Sequence, residues 1–156
     1  MGLPISIFIA LLSLAGLVAC ATNPNAAPSS PPEVQLITQA VVSSTIRAEN
    51  VPMDELNTLK AVLMSANTSL KLALEKDPAK FADAHTKSML DLSAQYSTTL
   101  GPYYDIVEVV LGIAIIRLQP VIDAGETELA SQYLKAVFTG ALRSINVALT
   151  REDIQA

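Results

Sequence analysis

DELNTLKAVLMSANTSLKLALEK, residues 54–76, decides the fold. Leu56, Leu59, Leu63, Ala66, Leu70 and Ala73 follow one another at alternating intervals of three and four. That interval lays one apolar stripe along an α-helix, whereas a half-buried strand would repeat every second residue. Asp54 and Glu55 sit in the first turn, where the helix dipole favours anions, and Lys71 and Lys76 lie toward the end.

Working outward, the same period continues in both directions. Upstream, Ser30-Pro31-Pro32-Glu33 is a capping box with proline at the first helical position. It predicts a helix over 31–49, with Val34, Ile37, Val41 and Ile46 facing inward. Asn50-Val51-Pro52 separates it from the central stretch. Downstream, Asp77-Pro78 restarts a helix over 78–98, with Phe81, Met89, Leu92 and Tyr96 inward. Gly101-Pro102 breaks it.

The next helix contains IVEVVLGIAIIRL, residues 106–118, apolar almost all round. Such a helix is central in a bundle or covered by a partner. Glu108 and Arg117 are nine residues apart, so they point to opposite sides. Leu111 and Ile115 lie toward Glu108 and form the candidate partner surface, set against the plainer reading of a central buried helix. Pro120 is expected to end or kink this helix. After the turn Asp123-Ala124-Gly125-Glu126, a last helix is predicted over 126–150. Ala130, Tyr133, Leu134, Val137, Ala141, Ile145 and Leu149 are its inner stripe, and the polar tail REDIQA is expected to fray. Asn-Gly and Asp-Gly hairpin signals are absent, and short connections make neighbouring helices antiparallel. The expectation is an all-α antiparallel bundle of four to five helices over 33–156.

Composition fits one such domain. The chain has 156 residues, 51 % hydrophobic and 16 % charged, which excludes a disordered polyelectrolyte. Ten basic against fifteen acidic residues give a net charge of −5, unsuited to nucleic acid. One cysteine and one histidine leave no disulfide framework and no ordinary Cys/His zinc site. There is no glycine-rich phosphate loop, G-x-S-x-G, H-E-x-x-H or calcium loop. The expectation is a non-catalytic protein without cofactor or metal. His85 follows Phe81 by four and precedes Met89 by four, which marks an interior residue. Asp83, two residues away, lies on another face and cannot orient it as a triad would. Tyr96, Tyr103 and Tyr104 gather at one turn, as packing for that corner or as a ligand slot. Asn67-Thr68-Ser69 is a glycosylation sequon, relevant only to a eukaryotic source.

The N-terminus has a different character. Residues 1–32 carry no charged side chain, and residues 3–19 read LPISIFIALLSLAGLVA, the layout of a secretory signal. Its end, Leu17-Val18-Ala19-Cys20, resembles the lipobox of bacterial lipoproteins. The resemblance implies a signal peptide over 1–19, cleavage before Cys20, and acylation of Cys20. By the same analogy Ala21, standing where an aspartate would retain the protein at the inner membrane, implies the outer membrane facing the periplasm. The partners implied are the bilayer and an envelope protein, with no nucleic acid. Residues 21–32, ATNPNAAPSSPP, hold four prolines in twelve and nothing to bury, so residues 20–32 read as a disordered tether of roughly 35 Å reach. Other readings of this segment are an A-x-A cleavage after Ala21, an uncut membrane anchor, and myristoylation at Gly2. Cleavage after Ala21 would give a secreted helical protein holding a small apolar ligand in its core.

Overall fold

A computed structural model describes residues 30–155, with side chains through Arg151. The expected signal peptide and most of the tether, Cys20 included, lie outside the described residues. Among the described residues the chain is all-α: five α-helices and no strand. These are α1 (Pro31–Glu49), α2 (Met53–Lys76), α3 (Phe81–Leu100), α4 (Asp105–Asp123) and α5 (Thr127–Gln155), with short 3₁₀ turns before α3 and α4.

The start signals act as read. The Ser30 N–H donates to the Glu33 carboxylate at 2.9 Å, and α1 begins at Pro31, two residues before the expected domain boundary. α1 ends on Asn50 in the left-handed region (φ 49°). The turn after α4 closes with Gly125 at φ 78°, where the Glu126 N–H bonds the Val121 carbonyl. Glycine and asparagine reach this conformation with least strain. Pro78 opens a 3₁₀ turn, so α3 starts at Phe81, later than expected.

Two boundaries differ more. α4 passes through Pro120 to Asp123 instead of ending there. Proline removes the bond to the carbonyl four residues back, here that of Ile116, whose side chain is 40 % exposed. On that outer side, water can satisfy the freed carbonyl. α5 extends through the polar tail to Gln155.

α5 is the hub, packing on α1, α2 and α4, while α2, α3 and α4 follow one another around it. The most extensive interface is α1 on α5, and α1 makes only marginal contact with α2, its neighbour in sequence. Gln35 and Gln39 approach Gly140, while Ser43 bonds Ser144, so numbering rises together along both helices and they run parallel. In an up-and-down chain the first and fifth helices must be parallel, which agrees with antiparallel consecutive neighbours.

The α1–α5 seam is built from small residues. Ala136, Gly140, Ser144 and Ala148 recur every four residues on α5. A Cβ on Gly140 would sit 2.4 Å from the Gln35 carbonyl oxygen and 3.2 Å from Thr38 Cβ. The Ser43 hydroxyl donates to Ser144 at 2.9 Å, and the Ser144 hydroxyl donates to the Gln39 carbonyl at 2.8 Å. The buried face of α1 is Val34, Thr38, Val42 and Ile46; Ile37 and Val41 flank it, half-buried. Thr38 is buried because its hydroxyl bonds the Val34 carbonyl at 2.8 Å, leaving its methyl to pack. Elsewhere the core is aliphatic: Leu56, Leu59, Leu63 and Leu70 of α2 meet Phe81, Leu111, Leu118, Phe138 and Ile145 in one cluster.

Candidate functional site

Leu111 is completely buried, which corrects the expectation that it faces outward with Glu108. Ile115 is half-buried and packs against the core. The open edge of α4 runs instead through Glu108 and Ile116, with Gly112 half-buried between them. α4 is thus the central buried helix, and its extra apolar residues are used because α3, α5 and α1 all touch it.

His85 is buried on α3, and its Nε2 lies 2.7 Å from the Leu111 carbonyl oxygen. A carbonyl only accepts, so Nε2 carries the hydrogen and donates. The ring tilts against Phe81 at 6.4 Å between centroids. This is a cross-brace from α3 to α4. Among the described residues no three His, Cys, Asp or Glu side chains gather as a metal site. Tyr96 and Tyr103 are half-buried against the core, and Tyr104 is buried with its hydroxyl 3.5 Å from the Met89 carbonyl. The three rings pack this corner.

One end of the bundle gathers charge instead. The C-terminal ends of α1 and α5 meet the start of α2 there. They enclose a hollow of about 190 Å³ lined by residues including Ile46, Arg47, Val51, Ala148 and Arg151. Beside it, a shallow, open hollow lined by α5 residues alone runs past Leu142, Arg143, Asn146 and Val147 to Arg151. Val147 borders both and is 43 % exposed. The chain's four arginines are Arg47, Arg117, Arg143 and Arg151, so three of them line these hollows. Among the described residues none of the three forms an ion pair; the pairs seen are Lys71–Glu75, Lys80–Asp77 and Lys87–Asp91, all exposed.

Carboxylates occupy the α4 side of the same end. Burial, then Glu49, raises the Asp105 pKa; burial, then Asp105, raises that of Glu108. Burial and Glu108 also raise the Tyr104 hydroxyl, against a lowering hydrogen bond from Ser93. A guanidinium in contact would push the carboxylates the other way. In the sequence each arginine alone reads as a solvated helix charge. α5 as a whole gave no basic signal, since Lys135, Arg143 and Arg151 are matched there by Glu128, Glu152 and Asp153.

No described helix is long and apolar enough to cross a membrane. Compared with known protein families, curated proteins and solved structures, the chain matches none.

Proposed function

We propose that this chain is a bacterial lipoprotein, held at the outer membrane by an acylated Cys20, that presents its helical bundle to a protein partner in the envelope without catalysis. The observation that carries this reading is Leu17-Val18-Ala19-Cys20 at the end of a charge-free apolar run. The segment that follows suits a spacer, and the all-α domain begins directly after it. Each acyl CH₂ buried in a bilayer contributes roughly 0.8 kcal/mol, and two or more chains hold a protein stably where one is marginal. A domain without a spanning helix would then stay at the membrane.

The test is the intact mass of the protein from the membrane fraction, beside a Cys20→Ser control. A mass beginning at Cys20 plus acyl chains, lost in the control, is the expected result. An unmodified mass beginning at Thr22 in the soluble fraction would overturn the anchor and leave a free secreted bundle.

A further inference from the structure

We propose that α1 exchanges between two copies of this chain, giving a domain-swapped dimer in which each α1 sits on the other copy's α5. This goes beyond the reading above and does not depend on acylation.

α1 is a separable piece. It packs on α5 and more lightly on α4, and it barely touches α2, to which it is joined. Where α5 comes closest to it, the seat is Ala136, Gly140, Ser144 and Ala148. Lifting α1 away therefore uncovers small side chains along that line, and little apolar area on α5 meets water there.

The reversal between α1 and α2 hangs on one residue. The hinge is Asn50-Val51-Pro52. Pro52 is extended (φ −64°, ψ 158°), and a residue before proline, as Val51 is, favours the extended form as well. Asn50 makes the turn, in the left-handed region at φ 49°. The two backbone bonds that close it are long: 3.4 Å from the Asn50 N–H to the Arg47 carbonyl and 3.3 Å from the Val51 N–H to the Ile46 carbonyl. Short hinges held in a strained conformation invite exchange.

A second copy is the fitting occupant, since its α1 reproduces every contact of the seat. Thr38 again meets Gly140, and Ser43 again bonds Ser144, whose hydroxyl bonds the Gln39 carbonyl. Once Asn50 leaves the left-handed region, the three hinge residues span roughly 10 Å. The two copies then meet at the end where α1 gives way to α2. That end carries both signs, Arg47 with Glu49, Asp54 and Glu55, so a two-fold contact there need not set like charge against like.

The experiment uses the full chain in neutral detergent with Cys20→Ser, so that an introduced pair, Ser43→Cys/Ser144→Cys, supplies the only thiols. The protein is unfolded in urea, refolded at low and at high concentration, oxidised and separated by size. The dimer fraction is expected to rise with concentration. In the dimer the new disulfide should join two chains on a non-reducing gel, and in the monomer it should close within one. Without the pair, Asn50→Val disfavours the left-handed region and should raise the dimerisation constant roughly tenfold or more, because each dimer releases two hinges. Asn50→Gly, at ease in that region, should lower it. Gly125→Val strains the turn after α4 instead, at φ 78°, and should not raise it. No dimer in any variant overturns the proposal, as does a dimer whose disulfides stay within single chains. If the pair forms no bond, the hinge variants decide: a constant that Asn50→Val leaves unchanged, or that Gly125→Val raises equally, overturns it.

Discussion

Gly140→Ala and Gly112→Ala make the same chemical change in the middle of two helices and should move stability in opposite directions. Both add a methyl and both gain helix propensity, worth about 1 kcal/mol for glycine to alanine. At Gly112 nothing lies within 4 Å of the new Cβ, so the gain stands. The expected change is about +0.5 to 1 kcal/mol. At Gly140 the new Cβ would lie 2.4 Å from a backbone oxygen of Gln35 and 3.1 Å from the Gln39 nitrogen. An ordinary carbon–oxygen contact needs roughly 3.3 Å, so α1 must retreat by close to 1 Å. The first obstacle is backbone, which cannot rotate away as a side chain would. Overpacking of this kind costs about 1–3 kcal/mol, and lifting α1 also stretches the Ser43–Ser144–Gln39 bonds. The net expectation is a loss of about 1–2 kcal/mol, or roughly 3–8 °C in Tm. Urea midpoints of the two variants, at unchanged m, measure this directly. If Gly140→Ala stabilised as Gly112→Ala does, α1 would not be seated on α5 at this distance, and the seam described above would be wrong.

Other outcomes follow from single residues. His85→Ala empties a buried site and strips the Leu111 carbonyl of its donor, and should cost about 2–4 kcal/mol in urea unfolding. His85→Leu keeps the volume and should cost less, which an imidazole needed only for packing and bracing requires. Asp105 and Glu108 have raised pKa values in the folded state, so between their ordinary and raised values the native chain binds more protons than the unfolded one. Their contribution to stability is full below the ordinary carboxylate range and is lost as pH rises through the raised values. Glu108→Gln should flatten the fall in Tm as pH rises above the ordinary carboxylate range and leave Tm at neutral pH no lower than in the parent; a steeper fall would contradict this assignment.

The helices were legible because their signals are local. Ser30 to Glu33, Asp77-Pro78 and Gly101-Pro102 each act within one turn, and Leu56, Leu59, Leu63, Ala66 and Leu70 of the three-four stripe are all buried, with Val62 buried beside them and Leu74 in place of the expected Ala73. What failed was information held by other helices. On α1, Ile37 and Val41 look inward by hydrophobicity, but the stripe follows Thr38 and Val42, because a small back-bonded residue lets α5 come close. Leu111 looked open because Glu108 lies on the same side of α4, yet the packed neighbours cover Leu111 and leave Glu108 at the rim. The arginine grooves were invisible for a related reason. Arg47 and Arg151 are about a hundred residues apart, and only the parallel pairing of α1 with α5 brings them to one hollow.

That pairing has a consequence for how the chain is made. The bond between Ser43 and Ser144 spans 101 residues, and α1 has scarcely any contact with α2, its neighbour in sequence. When α1 leaves the ribosome, its docking surface has not yet been synthesised. A chain cut short before α5 would leave the α1 stripe of Val34, Val42 and Ile46 without its main cover, since only the smaller contact with α4 remains.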